Sequence, residues 1–260
     1  MKKMKSKDIN KVVYTVLIGR GDRISKLNFN INNDIEYVCF TDHKDLVPKG
    51  WKVILVDDSF KKELINPILC KLPNLQQNNP TIINRIIKLH PHVFLGNYEK
   101  SMYIDAHIEL KQCMSNLIDD ALQEANWLSP AHRWGGNTLI EGLRCYEHNK
   151  INKEEFYEFL KKMTSISIGE NVPFTENGII IRNHLDSLVV KMCEQWWDYF
   201  AKGPYRDQLH WQHAYVKALP KFKYLPYRFI DDNPYYKLGR HKGAIYRAIL
   251  AKAKNMIRKI

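Results

Sequence analysis

The apolar residues of this chain gather in short unbroken runs before they settle into helical spacing. Val12-Val13-Tyr14-Thr15-Val16-Leu17-Ile18 is mostly apolar and rich in β-branched residues, and it stops at Gly19-Arg20-Gly21-Asp22. So short and continuous a run predicts a strand buried on both faces, followed by a loop. Ile35 to Phe40 repeats the pattern and runs into the polar turn Thr41-Asp42-His43, and Trp51 to Asp57 predicts a third strand. Helix-length spacers lie between these strands. From Thr81 to Leu95 the period changes. Ile82, Ile83, Ile86, Ile87 and Leu89 recur around Asn84, Arg85 and Lys88, which predicts a helix that Pro91 ends or kinks. Ser101 to Asp105 predicts a fourth strand. Strands alternating with helices imply an α/β fold with a mostly parallel sheet flanked by helices. Such sheets bind ligands beyond the carboxyl ends of their strands.

The second half is less regular. Leu117 to Trp127 and Lys153 to Met163 read as amphipathic helices, Asn177 to Arg182 as a short strand, and Ser187 to Phe200 as a helix carrying Trp196 and Trp197. The last stretch differs in kind. From Lys242 to Ile260, Ile245, Ile249, Ala253, Met256 and Ile260 share one helical face, while Lys242, Arg247, Lys252, Lys254, Arg258 and Lys259 bring six positive charges and no acid. The chain therefore divides into one domain over residues 1–241 and a basic amphipathic helix over 242–260. That helix has two readings: it lies on an anionic membrane surface, or it packs on the domain as an ordinary terminal helix.

Composition narrows the class. With 260 residues, 45% of them hydrophobic, the chain can bury one sizeable core and is not a disordered sequence. No run approaches the roughly 18 apolar residues of a membrane span. The basic start, Met1-Lys2-Lys3-Met4-Lys5, precedes too short an apolar run for a signal peptide. Cys39, Cys70, Cys113, Cys145 and Cys193 are odd in number and form no CxxC pair, so neither a disulfide framework nor a cysteine zinc site is expected. A cytoplasmic protein is predicted, peripheral on the inner face of the membrane if the basic helix binds there. The net charge of +12 fits phosphate-bearing ligands, an anionic membrane or nucleic acid. The basic residues are dispersed and no nucleic-acid fold signature appears, so no nucleic-acid partner is expected.

Candidate chemistry centres on Asp105 and His107. Two apart on an extended segment, they point to the same side, and a carboxylate beside an imidazole suits a divalent transition metal such as Mn²⁺. The bland alternative is a turn-capping Asp105 and a surface His107. Gly239-Arg240-His241-Lys242-Gly243 is a second candidate, in which His241 would add a third metal ligand and Lys242 would neutralise phosphate; it reads equally well as an ordinary basic loop. Arg20 and Arg23 in the first loop, with Arg85 and Lys88 on one helix face, suit a diphosphate or form a solvated basic surface. His132, Arg133, Glu141, Arg144 and Glu176 sit in turns fit for sugar recognition. Asp207 first, then Glu176, are the carboxylates placed to act as a general base, or else they are structural ion-pair partners. Trp134, Trp196, Trp197 and Trp211 either stack on sugars or fill the core.

These residues, taken in order, resemble a family. Phe40-Thr41-Asp42, Asn84-Arg85-Ile86-Ile87-Lys88-Leu89-His90-Pro91 and Tyr103-Ile104-Asp105-Ala106-His107-Ile108 look like blocks of a GT-A glycosyltransferase-like family long catalogued as a domain of unknown function. It includes the plant turgor-regulation-defect type proteins and many bacterial polysaccharide-locus proteins. Glu176 to Arg182 and Tyr205-Arg206-Asp207-Gln208 look like later blocks, so the resemblance covers roughly residues 10 to 230. The resemblance implies a Rossmann-like GT-A nucleotide-binding half, a nucleotide-sugar donor bound by Asp42 and Asp105 among others, and a saccharide or lipid-linked acceptor in bacterial surface polysaccharide synthesis. It also implies a divalent metal, Mn²⁺ or Mg²⁺, on a D-x-D-type element. Here the second acidic position is His107, a departure from that pattern. Two rival functions stay open: a sugar-phosphate transferase with the same donor, and a non-enzymatic basic nucleic-acid-binding protein.

Overall fold

A computed structural model describes residues 9–19, 23–70, 78–164, 168–169 and 171–239. Arg20, His241 and Lys242, and with them the whole basic helix predicted over 242–260, lie outside the described residues.

Among the described residues nine strands occur in chain order: β1 (Lys11–Leu17), β2 (Ile35–Thr41), β3 (Lys52–Leu55), β4 (Lys100–Ile104), β5 (Ile108–Leu110), β6 (Trp127–Ser129), β7 (Ile179–Asn183), β8 (Phe222–Tyr224) and β9 (Tyr236–Leu238). Seven form one sheet in the order β3-β2-β1-β4-β7-β6-β8, and β5 pairs with β9 in a separate ribbon. β1 runs parallel to β2 and β4, and β2 to β3. β7 then runs antiparallel between β4 and β6, and β8 returns parallel to β6. The fold is mixed α/β with a mostly parallel central sheet, as the alternation of elements predicts.

The continuous apolar runs are continuous because both sheet faces are covered. Val12, Tyr14 and Val16 face one core cluster and Val13 the other; Tyr103 and Ile180 join the first, Met102, Ile104, Ile179 and Ile181 the second. Each large aliphatic side chain so buried contributes about 1.5–3 kcal/mol. The helix Pro80–Leu89 covers the first face with Ile82, Ile83, Ile86, Ile87 and Leu89. Asn79 caps it, accepting from the Thr81 N–H at 2.9 Å, and Pro80 sits at its first turn, where no donor is needed. At its far end His90 leaves helical geometry (φ −121°, ψ 52°) and Pro91 opens a separate turn, Pro91–Phe94. The helix predicted to reach Leu95 is thus cut at the proline, whose ring excludes continuation.

One expectation needs correction, and two readings left open by the sequence are decided. The spacers before β2 and β3 hold no helix among the described residues 23–34 and 42–51. The helix expected over Leu117 to Trp127 is Ser115–Ala121, and Trp127 instead opens β6, buried beside Trp196 and Trp211. Trp196, Trp197 and Trp211 are core residues and Trp134 is exposed. An additional helix, Thr138–Glu147, inverts the usual pattern: Thr138, Glu141, Gly142 and Cys145 point inward, while Leu139, Ile140 and Leu143 are 45%, 42% and 46% exposed. All five cysteines are free thiols. Among the described residues no helix is long and apolar enough to cross a membrane.

His184 and His210 are buried, and burial pulls both pKa values down to about 4. In the unfolded chain each titrates near 6.5. The unfolded state therefore binds the extra protons first as the medium is acidified, and stability is lost as pH falls from about 6.5 towards 4. Denaturant titrations at pH 7 and pH 5 should differ by about 2 kcal/mol for each histidine. The double variant His184→Gln, His210→Gln should show a flatter acid slope; an unchanged slope would refute the assignment.

Candidate functional site

The carboxyl ends of β1 and β4 open into a cavity of about 480 Å³. β1 contributes Val16 and Leu17 to its wall. The helix Pro80–Leu89 brings Asn84, Arg85 and Lys88, and the segment after β4 brings Asp105, Ala106 and His107. The helix is tied to the strand by Asn84, whose Nδ2 donates to the Val16 carbonyl at 3.0 Å. His132, Arg133 and Glu141 line the wall after β6, Glu176 to Gly178 the wall before β7, and Arg206 to Gln208 the far side. Residues scattered over more than a hundred positions of sequence thus share one space.

Asp207 closes that far side. Its Oδ2 accepts from Lys88 Nζ at 2.6 Å and its Oδ1 lies 3.2 Å from Arg85 Nε. All three side chains are at most one-fifth exposed. Burial alone would push the Asp207 carboxyl up, but Arg85 and then Lys88 outweigh it and hold it well below the usual carboxylate range. Burial likewise draws the Lys88 ammonium down, and Asp207 restores only part of it. A carboxylate stabilised this strongly is a weak proton acceptor. Asp207 lines the cavity, but as the counter-ion of two cations rather than as a free base.

Glu176 is similarly occupied. Its Oε1 accepts from the Arg133 backbone N–H at 3.2 Å and from Arg133 Nε at 2.5 Å, and its Oε2 lies 3.3 Å from Nη2 of the same guanidinium. The forked pair fixes both side chains. Arg133 also lies against the rings of Phe229 and Trp134, 4.9 and 5.5 Å from their centroids.

Asp105 leaves β4 with its backbone N–H on the Gly178 carbonyl at 2.9 Å and its own carbonyl accepting from Ile108. Tyr103 donates its hydroxyl to Asp105 Oδ1 at 2.8 Å. Burial, reinforced by Asp105, keeps that phenol protonated far above its ordinary range. Gly178 leaves room for the arrangement: a Cβ there would stand 2.8 Å from Phe229 Cζ and 3.0 Å from Asp105 Oδ2. His107 is buried on the same wall, and its carbonyl accepts from Gly239 at 2.8 Å where β9 pairs with β5.

Of the polar residues singled out in the sequence, Arg85, Lys88, Asp105, His107, His132, Arg133, Glu141, Glu176 and Asp207 meet at this cavity, and Arg144 stands 3.9 Å from Glu141 outside the lining. Two more lie elsewhere. Asp42 grips the turn after β1, both carboxylate oxygens 3.0 Å from the Gly19 N–H, and Arg23 is exposed and outside the lining. The sequence reading missed Tyr103 as a partner of Asp105, and it missed Lys150 and Phe229 altogether. Tyr103 could have been found from its alternation with Asp105 on one strand; Lys150 and Phe229 carry no local signal. The lining holds five lysine or arginine side chains against four carboxylates, one net positive charge before the histidines are counted. Among the described residues no three His, Cys, Asp or Glu side chains come together as a metal-holding group.

Replacing Asp207 by Asn leaves two buried cations without their counter-ion. The variant should lose about 3–5 kcal/mol of unfolding free energy, read from urea denaturation. A loss below 1 kcal/mol would show that the two cations find solvent instead.

No protein-family model matches the chain, and no curated protein sequence does. Among solved structures, the chain is similar to the apo form of mouse xyloside xylosyltransferase 1, at 11% sequence identity and a TM-score of 0.46 over 82% of this chain and 84% of that one.

Proposed function

We propose that this chain is a glycosyltransferase that moves a sugar from a nucleotide-diphosphate sugar, a UDP-sugar, to a saccharide or lipid-linked acceptor of a bacterial surface polysaccharide. One observation carries the reading. The cavity beyond the parallel strands β1 and β4 collects Asp105 and His107 from the end of β4 and the cations Arg85 and Lys88 from the preceding helix. That is where an open parallel sheet takes a nucleotide, and this is the side-chain chemistry a diphosphate needs.

In this reading Asp105 and His107 hold a divalent cation. Asp105 and His107 supply two donors, and an ion that takes its other ligands from diphosphate oxygens and water needs few more from the protein. His241, the third donor expected from the sequence, lies outside the described residues. The bound ion would supply positive charge at the leaving diphosphate. Tyr103 orients Asp105 through its hydroxyl. Arg85 and Lys88, fixed from behind by Asp207, present their remaining N–H groups without having to reorganise as charge develops. Arg133 is held by Glu176 and stacked between Trp134 and Phe229, so its guanidinium is a rigid donor for sugar or phosphate oxygens.

A thermal-shift panel of UDP, GDP, CMP and UDP-sugars, each with and without Mn²⁺, tests the reading. A UDP species at 100 times its Kd should stabilise the fold by about 2.7 kcal/mol, and Asp105→Ala should remove the metal-dependent part. No response from the unaltered protein to any nucleotide would overturn the proposal. Product masses then decide the class, since a sugar-phosphate transferase leaves an extra phosphate on the acceptor.

A further inference from the structure

The transfer reading leaves the acceptor's proton without a taker, because Asp207 and Glu176 are both committed to cations. His132 is placed differently. Its Nδ1 lies 3.2 Å from the Gly135 carbonyl oxygen, which can only accept. The neutral ring therefore carries its proton on Nδ1 and turns the Nε2 lone pair the other way. Nε2 lies 3.7 Å from Glu141 Oε2 and 3.9 Å from Glu176 Oε1, and Arg144 Nη1 lies 3.9 Å from the same Glu141 oxygen. These gaps are too wide for direct hydrogen bonds, and a hydroxyl approaching from the cavity side could bridge them. Glu141 is 5% exposed, and neither its Oε2 nor Arg144 Nη1 has a hydrogen-bond partner among the described residues. A buried carboxylate oxygen beside a buried Nη1 of a half-buried arginine, both open, mark a socket for a hydroxyl group.

His132 also walls a second cavity of about 600 Å³, with Ala131, Gly135, Phe174, Phe222 and Tyr224. It is the described residue common to both linings. We infer that the acceptor saccharide approaches through this second cavity and that His132 Nε2 takes the proton of its attacking hydroxyl, with Glu141 as the positioning residue. This rests on the transfer reading above. As the O–H bond breaks, the proton passes to Nε2 and the oxygen bonds to the anomeric carbon. The bond from that carbon to the phosphate oxygen breaks, and its electron pair leaves with the nucleoside diphosphate. The imidazolium stands between Glu141 and Glu176 and returns its proton to water. Direct displacement of this kind inverts the anomeric centre.

The groups facing the ring set its readiness. Burial lowers the His132 pKa; Glu176, then Glu141, and the Gly135 carbonyl raise it, and Arg144 lowers it, with the net direction downward. The ring is thus neutral and able to accept a proton at pH 7. Trp134 and Phe174 flank it without charge.

The test measures UDP release from a panel of UDP-sugars, with water and with para-nitrophenyl glycosides as acceptors, alongside calorimetric Kd values for UDP. His132→Asn should lower kcat at least ~100-fold with the UDP Kd changed less than about threefold. Glu141→Gln should shift the acid limb of the kcat/KM profile, a change that a merely structural role would not produce. Nitrogen-15 NMR of the imidazoles in the unaltered protein should find His132 as the Nδ1–H tautomer at pH 7.5, a readout that needs no folded variant. An Nε2–H tautomer, or full turnover by His132→Asn, overturns the inference while leaving nucleotide-sugar binding intact. An unaltered protein that binds no UDP-sugar overturns the transfer reading and this inference with it.

Discussion

The contact between Lys88 and Asp207 joins positions 119 apart in sequence and sets the rest of the site in order. Lys88 is held at both ends. Its ammonium and the Arg85 guanidinium share the Asp207 carboxylate, while its backbone carbonyl accepts from Tyr14 at 2.7 Å and from Arg182 at 2.5 Å. Arg182 is itself fully buried, bonded to Tyr14 and lying over Trp127. Strands β1 and β7, the Pro80–Leu89 helix and the turn at Asp207 therefore meet at one residue. Buried ion pairs of this kind return little net stability, because removing the charges from water costs about what their attraction restores. Their contribution is to single out one arrangement: a slipped helix or a displaced turn would strand a charge.

That constraint divides the cavity's carboxylates by task. Asp207 and Glu176 hold arginine and lysine side chains in fixed positions. Asp105 receives only the Tyr103 hydroxyl, and Glu141 Oε2 receives nothing among the described residues. The committed acids keep cations rigid at one side, and the uncommitted ones remain open to a ligand. A cavity whose charges are almost balanced, yet whose free valences are unevenly distributed, is built for a ligand with a charged end and an uncharged one.

How much of this the sequence discloses depends on the range of the interaction. β1, β2, β4 and β7 are legible because burial on both faces demands runs of Val, Ile and Tyr that nothing else explains. β6 and β8 are three residues each and owe their pairing to neighbours, so Trp127 reads as the end of a helix. The Pro80–Leu89 helix and its break at Pro91 are written locally. The shared face of Arg85 and Lys88 is legible too, but the acid it faces lies on a distant turn, and nothing near Asp207 announces two cations. Asp105 and His107 stand out by their place after a strand, whereas Asp42, equally well placed after β2, is spent on a turn that only the folded chain reveals.

The Thr138–Glu147 helix carries a further consequence. Because Glu141 must face the cavity and Gly142 must admit Phe159, the wet side of this helix is turned inward and its greasy side outward. Leu139, Ile140 and Leu143 are displaced to the water by the demands of the interior. Colloidal behaviour and chemistry are thereby coupled in one segment. Polar substitutions at these three positions would fall on the helix that carries Glu141, so a gain in solubility there would act on an element of the cavity wall.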